Sequence, residues 1–152
     1  MKTSRVWLFL ALTVLLALAA CNQPAIVTTG QAIQVSDAWG RTSPMMAEAA
    51  AFYMLVRNTG SQADAMVGGQ SPACQAVEMH ESYMTDNGAM GMRPVEGGIQ
   101  LPAGGQAELK PGGLHVMCIG LASELKVGDK VPVTLQFTNA DDLTVEVEIR
   151  QP

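Results

Sequence analysis

The alternation of apolar and polar residues is the feature that most constrains this chain, because it recurs over most of the sequence. From residue 131 to 138, Val, Val, Leu and Phe occupy every second position, and the same pattern returns from 143 to 150 after an Asn-Ala-Asp-Asp turn. Side chains of a strand point alternately to opposite faces, so this pattern predicts a hairpin with one buried face. No segment of ten or more residues combines a helical period with capping residues.

Six further segments also have the character of strands, and they are separated by turns rich in Gly, Pro and Asn. They comprise residues 33–39, 51–58, 75–82, 89–95, 106–110 and 114–121. Many short strands in about 120 residues are typical of an antiparallel β-sandwich or barrel of Greek-key type. The aromatic side chains of Trp39, Phe52, Tyr53 and Phe137 are expected in its core.

The N-terminus has the pattern of an export signal. Lys2 and Arg5 precede an apolar run of about fourteen residues, which is too short to span a membrane. The run ends in Leu-Ala-Ala-Cys, which resembles the bacterial lipobox, where the cysteine receives the lipid. We predict a signal peptide over residues 1–20, a lipid on Cys21, a tether over 21–30 and one domain over 31–152. An ordinary signal peptide with an incidental Cys21 is the alternative, and both predict export.

Charge and cysteine content narrow the class of protein further. The formal charge is −5, and the leader carries two of the positive charges, so the remaining domain is near −7. Such a domain without a Lys/Arg cluster is not suited to nucleic acid. Cys74 and Cys118 remain after Cys21, and three interpretations stay open: a disulfide, two buried thiols, or metal ligation by one of them.

Two histidines and a set of methionines are the candidate ligands. His115 and Met117 share one face of a predicted strand, Met90 and Met92 share one face of another, and His80 is placed near the end of a third. Each residue alone is more typical of packing or of a surface histidine. Together, at strand ends where loops converge, imidazole and thioether donors without carboxylates favour a soft ion, Cu(I).

The spacing of these residues resembles that of the PCuAC family of periplasmic copper chaperones. In that family about ten residues separate a His from a Met, and about twenty-one more separate this Met from a His-x-Met. Here eleven residues separate His80 from Met92, and twenty-two separate Met92 from His115. The Met-Arg-Pro-Val segment at 92–95 is similar to the family's, which favours Met92 over Met90. Similar segments also lie at 37–41, 58–60, 71–73, 108–113 and 120–121.

The resemblance implies a cupredoxin-like Greek-key antiparallel β-sandwich that carries one Cu(I) per domain. Its ligands would be His80, Met92, His115 and Met117. The recipient would be the CuA domain of cytochrome c oxidase subunit II or a thioredoxin-like assembly protein. We expect a monomer in the periplasm or another extracytoplasmic space, held to the membrane by the lipid.

Other functions are less compatible with these residues. A blue-copper protein needs a Cys thiolate, and Cys118 is predicted on the face opposite Met117. No Ser/His/Asp set suggests an enzyme. A copper buffer or uptake protein could use the same site, and the sequence leaves that alternative open. Met84 is a candidate spare donor, and Met45 and Met46 are predicted to pack at the surface or to make a secondary copper contact.

Overall fold

The structure is a computed structural model that describes residues 32–42 and 48–151. These residues form ten strands and no helix, so they contain no helix that could cross a membrane. The predicted signal peptide, Cys21, the tether, Met45 and Met46 lie outside the described residues. The strands are β1 (Ile33–Thr42), β2 (Ala49–Asn58), β3 (Asp64–Gln70), β4 (Cys74–Met84), β5 (Met90–Pro94), β6 (Ile99–Leu101), β7 (Gln106–Leu109), β8 (Leu114–Leu121), β9 (Lys130–Phe137) and β10 (Leu143–Ile149).

The strands form one sheet that closes on itself. Its order is β5-β4-β8-β2-β1-β10-β9-β3-β6, with β7 beside β2, and β3 also pairs with β4. That last pairing, Gly69 with Val77, closes seven strands into a barrel. A Cβ on Gly69 would lie 2.8 Å from the carbonyl oxygen of Thr134 and 2.9 Å from Val77 Cγ1, so glycine permits the closure.

The all-β prediction is confirmed, and the antiparallel prediction needs one correction. The pairing of β1 with β10 is parallel, whereas the other nine pairings among the described strands are antiparallel. A parallel pairing is possible here because β1 and β10 are far apart in sequence, so no tight turn forces them to run in opposite directions. The Greek-key sandwich arrangement stays a prediction.

The main core fills the barrel and follows the alternation of the sequence. In β9 and β10 every second residue is buried, from Val131 to Phe137 and from Leu143 to Ile149. The two strands are paired antiparallel along six rungs of the ladder, with Val145 opposite Val133. The hairpin predicted from these residues is therefore present with its apolar face inward.

A second, smaller apolar cluster lies on the outer face of the sheet. Buried Ala49, Ala51, Tyr53 and Met117 form it, with Trp39 and Ile119 packed against them. Tyr53 is buried as predicted, although in this outer cluster, and Phe52 and Phe137 lie in the main core. The prediction for Trp39 is corrected, because this side chain is only partly buried against the outer cluster.

A bulge in β1 explains the position of Trp39. The β1–β2 register shifts between Ser36 and Trp39, and Asp37 has a φ of 53°. The extra residue reverses the alternation, so that Ala38 packs on the main core whereas Trp39 lies in the outer cluster.

A disulfide joins Cys74 to Cys118 and thereby links β4 to β8. Of the three interpretations left open by the sequence, the structure contains this one. Cys118 is fully buried in the main core, so its side chain lies on the inner face of β8, as predicted. The same two strands carry both histidines.

Candidate metal centre

His80 and His115 are direct neighbours across two strands. The β4–β8 register pairs them, and their ring centroids are 5.9 Å apart. Residues directly opposite each other in an antiparallel pair point to the same face of the sheet. The flanking pair, Met79 and Val116, is buried in the main core. The two imidazoles therefore share the outer face.

Met117 lies on the same outer face, two residues along β8. It is paired with Glu78 of β4, and only 2% of its surface is exposed. Its neighbours include Tyr53 in the outer cluster. Met117 is thus a packed side chain whose thioether lies beside the histidine pair, so packing and metal binding are compatible at this position.

Met92 approaches from β5, on the other side of β4. The register pairs Met92 with Ser82 and Met90 with Met84, so both methionines face the same way as His80. Met92 is two residues from His80 along the ladder, and Met90 is four. The structure thus brings His80, Met92, His115 and Met117 onto one face of three adjacent strands, and it places Met90 further away.

Hydrogen bonds determine which nitrogen of each ring is free. His80 Nε2 donates to Glu78 Oε2 at 2.9 Å, and His115 Nδ1 donates to the Gly113 carbonyl oxygen at 2.9 Å. An ionised carboxylate and a carbonyl can only accept, so the protons lie on these two nitrogens. In the neutral rings, His80 Nδ1 and His115 Nε2 carry the lone pairs. Both are buried without a hydrogen-bond partner.

Burial lowers the pKa of His115. The hydrogen bond to Gly113 opposes this shift, while the nearby charges of His80 and Arg41 add to it. The net direction is downward from the ordinary histidine value, so the ring is neutral at neutral pH. A metal ion can therefore bind His115 there without displacing a proton.

The centre is closed on one side and open on the other. The ring of Tyr53 lies 6.4 Å from that of His115 and 4.6 Å from that of Trp39, so aromatic side chains cover the β8 side. His115 is 2% exposed, whereas Met92 is 41% exposed. Solvent, or the ligands of another protein, can reach the centre from β5.

Two features of the centre differ from the sequence prediction. His80 does not lie at a strand end, because β4 continues to Met84. The candidate ligands therefore lie on the face of a sheet instead of on converging loops. Glu78 was not predicted to take part, although its position two residues from His80 on the same strand face was the signal that could have identified it.

The residue types at the centre limit the ions it suits. Within residues 32–42 and 48–151, no three His, Cys, Asp or Glu side chains converge as a metal-binding group. The other side chains on this face with a soft donor atom near the histidines are the methionines Met92 and Met117. Thioethers favour soft ions, Cu(I) above all.

Comparisons with known proteins agree on one family. A family profile described as "Putative lipoprotein LpqE-like" matches residues 33–149. A protein of Leifsonia xyli subsp. xyli described as "Putative lipoprotein Lxx21020" is 37% identical over 143 residues, which cover 90% of this chain and 84% of that protein.

Solved structures give the same result. The copper-bound PCuAC domain from PmoF2 superposes with a TM-score of 0.67 at 25% identity, covering 84% of this chain and 99% of that domain. The solution structure of CuI-DR1885 from Deinococcus radiodurans gives 0.59 at 28% identity, covering 88% and 85%. The spacing of this chain's histidines and methionines indicated a relationship to PCuAC domains, and the structural similarity agrees with it. The chain therefore belongs to the LpqE-like lipoprotein family.

Proposed function

We propose that this protein is an exported, lipid-anchored carrier of Cu(I) that binds one ion per domain through His80, Met92, His115 and Met117. The observation that carries the proposal is the pair of buried imidazole nitrogens without partners on neighbouring strands. A buried polar atom without a partner is costly, so such atoms are rare and call for an explanation. A metal ion bound to both would provide it.

The separation of the two rings fits a shared ion. Imidazole nitrogen binds first-row metals at about 2.0–2.1 Å, which puts the centroids of two such ligands roughly 5–6 Å apart. The observed separation of 5.9 Å lies within that range. Met117 and Met92 flank the pair on opposite sides, and their long flexible side chains allow the sulfur atoms to complete a trigonal or tetrahedral shell.

The chemistry of these donors suits transport better than permanent storage or catalysis. Two imidazoles and two thioethers are neutral ligands, so the site with Cu(I) carries a single positive charge. The ligand set also contains no thiolate, which would bind the ion more tightly and slow its release. Cu(I) accepts this soft shell, whereas Cu(II) prefers tetragonal nitrogen and oxygen ligands. Exposed Met92 can leave the ion as a ligand from a partner enters. No enzymatic step is proposed.

The relatives support the cargo and the location. One similar structure is a copper-bound PCuAC domain, another is CuI-DR1885, and the family is described as lipoprotein. These relationships favour copper as the cargo and a lipid on Cys21 as the anchor. From the family resemblance we add the recipient, the CuA domain of cytochrome c oxidase subunit II or a thioredoxin-like assembly protein. Copper buffering or uptake with the same site is the alternative.

Anaerobic titration with Cu(I), followed by X-ray absorption, tests the ligand set. We expect one tightly bound ion with nitrogen and sulfur neighbours in equal number. His115→Ala and Met117→Leu should weaken binding strongly, and Met117→Leu preserves the volume packed against Tyr53. Met84→Leu is the matched control. If Met84→Leu loses the first ion and Met117→Leu retains it, the ligand assignment is wrong.

A further inference from the structure

Exposed apolar side chains are concentrated on the β4–β5 hairpin. Within the described part of the chain, six large apolar side chains are exposed, and four of them lie between residues 83 and 92. The four are Tyr83, Met84, Met90 and Met92, and the others are Val67 and Val127. Single exposed apolar residues need no explanation, but a group on one short element does.

One face of this hairpin is stabilised by its own side chains. Arg93 Nε donates to Glu81 Oε1 at 2.7 Å, and the Arg93 guanidinium lies 5.0 Å from the centroid of the Tyr83 ring. The ring covers Gly91, where a Cβ would lie 2.7 Å from Tyr83 Cζ. Packing within the hairpin therefore explains the exposure of Tyr83, but it does not explain the methionines.

The methionines occupy the opposite face. Met84 is paired directly with Met90, and Met92 lies two residues further along β5, opposite Ser82. The alternation of both strands places no charged side chain among them, because Glu81 and Arg93 belong to the other face. Next along this face of β4 comes His80. The face is thus a row of thioethers that ends at the histidine pair.

The turn of the hairpin fixes the pairing of Met84 with Met90. Thr85 N donates to the Ala89 carbonyl oxygen at 2.8 Å, and Gly88 N donates to that of Thr85 at 2.9 Å. Directly paired residues have Cβ atoms about 4.5–5.5 Å apart, and diagonal neighbours remain within reach of long side chains. Three sulfur atoms can therefore meet one ion without a change of backbone.

We propose that Met84 and Met90, with Met92 as a shared third donor, form a second and weaker Cu(I) site, through which the ion enters and leaves the histidine pair. This proposal rests on the proposed function, since it needs Cu(I) as cargo. Three neutral thioethers select a soft ion but supply no imidazole, so the site binds less tightly than the first. Copper remains Cu(I) throughout and exchanges one ligand at a time along Met90, Met92 and His80.

Methionine methyl NMR of the protein, titrated anaerobically with Cu(I), separates the two sites. The first equivalent should shift the Met92 and Met117 methyl signals. A second equivalent, which finds Met92 already held by the first ion, should bind Met84 and Met90 and shift their signals. Buried Met54 and Met66 of the main core are internal controls that should not move. In the Met84→Leu/Met90→Leu variant, the second equivalent should bind about tenfold more weakly or worse, with the first unchanged.

The His80→Ala/His115→Ala variant makes failure of this proposal distinguishable from failure of the proposed function. It should lose the first site and still show Cu(I)-induced shifts at Met84 and Met90. If these two methyl signals stay unmoved in both proteins at several equivalents of Cu(I), the second site does not exist. If they move while the first equivalent leaves Met117 and the histidines unchanged, the second site stands and the ligand set of the proposed function is overturned.

Discussion

At the scale of single residues, the protons on the two imidazoles decide how the candidate site can work. The Nε2–H group of His80 donates to Glu78, and the Nδ1–H group of His115 donates to the Gly113 carbonyl oxygen. The two histidines therefore offer different nitrogens to the same space. Partners of this kind orient a metal-binding histidine and fix its tautomer, and their loss usually weakens metal binding.

Glu78 is expected to act through His80 without touching the ion. Glu78→Ala should weaken Cu(I) binding by about tenfold, at the low end of the range for such partners because Glu78 is half exposed. Glu78→Gln keeps a carbonyl acceptor and should restore most of the affinity. Competition with a Cu(I) chelator measures affinity, and ¹⁵N NMR of the His80 ring measures the tautomer. Loss of affinity in Glu78→Ala with an unchanged His80 tautomer would show that orientation is not the cause.

Acid should release copper, because protons compete for imidazole but not for thioether. The reference pKa of histidine is about 6.5, and burial lowers the pKa of His115 in the absence of metal. Because its pKa is lowered, His115 stays unprotonated, and therefore able to bind copper, at a lower pH than an exposed histidine would. Affinity measured from pH 8 down to about pH 5 should be level at first and then fall. A level affinity over the whole range would exclude histidine ligation.

At the scale of strands, two irregular features position the centre. The bulge at Asp37 turns Trp39 outward, where its ring packs 4.6 Å from Tyr53, which in turn lies beside His115. The disulfide ties β4 to β8 from the opposite face of the sheet. The outer cluster and the covalent link thus hold the two histidine strands from both sides.

Replacing Asp37 tests the bulge. A β-branched residue tolerates a φ of 53° poorly, so Asp37→Val should lower the free energy of unfolding by about 1–2 kcal/mol. Asp37→Gly should cost little, since glycine adopts this conformation readily. Urea denaturation measures both variants. Trp39 is the only tryptophan after residue 20, so its fluorescence reports on the outer cluster. Equal stability of the two variants would show that the backbone at Asp37 does not matter.

Removing the disulfide should separate stability from copper binding. The loop it closes spans 44 residues, for which chain entropy gives a stabilisation of about 4 kcal/mol. Cys74→Ser/Cys118→Ser should lose free energy of unfolding of that order. Once folded, as judged by circular dichroism, it should still bind one Cu(I), because neither sulfur lies on the outer face. A folded variant without Cu(I) binding would point to a thiolate ligand.

The two strands that the sequence missed, β3 and β6, offer no run of regular alternation. For β8 the predicted and observed bounds agree, and β9 and β10 differ by a residue at most. In β3 three consecutive residues, 64–66, are buried and two glycines follow, so no alternation appears. β6 has only three residues. The glycines of β3 and the three-residue length of β6 leave too little of the periodic signal on which strand prediction depends.

At the scale of the whole molecule, closure of the barrel brings distant segments to one face. His80 and His115 are 35 positions apart in sequence, yet they pair because β4 and β8 lie side by side. The residue types and their parity on each strand were predictable. The alignment of His80 opposite His115 was not predictable, since it depends on which strands become neighbours. The contact between Glu78 and His80 is different, because both residues lie on β4 and their spacing of two already places them on one face.

Copper should move from this protein to an acceptor with thiolate ligands and not return. A dinuclear CuA centre with bridging cysteine thiolates offers more charge and softer donors than two imidazoles and two thioethers. Mixing the Cu(I)-loaded protein with a reduced apo CuA domain, separating the two and measuring the copper in each tests this. Copper that stays on the carrier while the acceptor thiols are free would favour the buffer or uptake function.

The position of the disulfide behind the histidine strands also predicts an order of events in maturation. Before oxidation, Cys74 and Cys118 are a thiol pair, and thiolates are stronger soft ligands than the thioethers on the other face. A newly exported chain that met copper in that state would hold it on the wrong side of the sheet, in the space that the main core must fill. Bond formation removes these thiolates as competing ligands, so we expect oxidation to precede metallation.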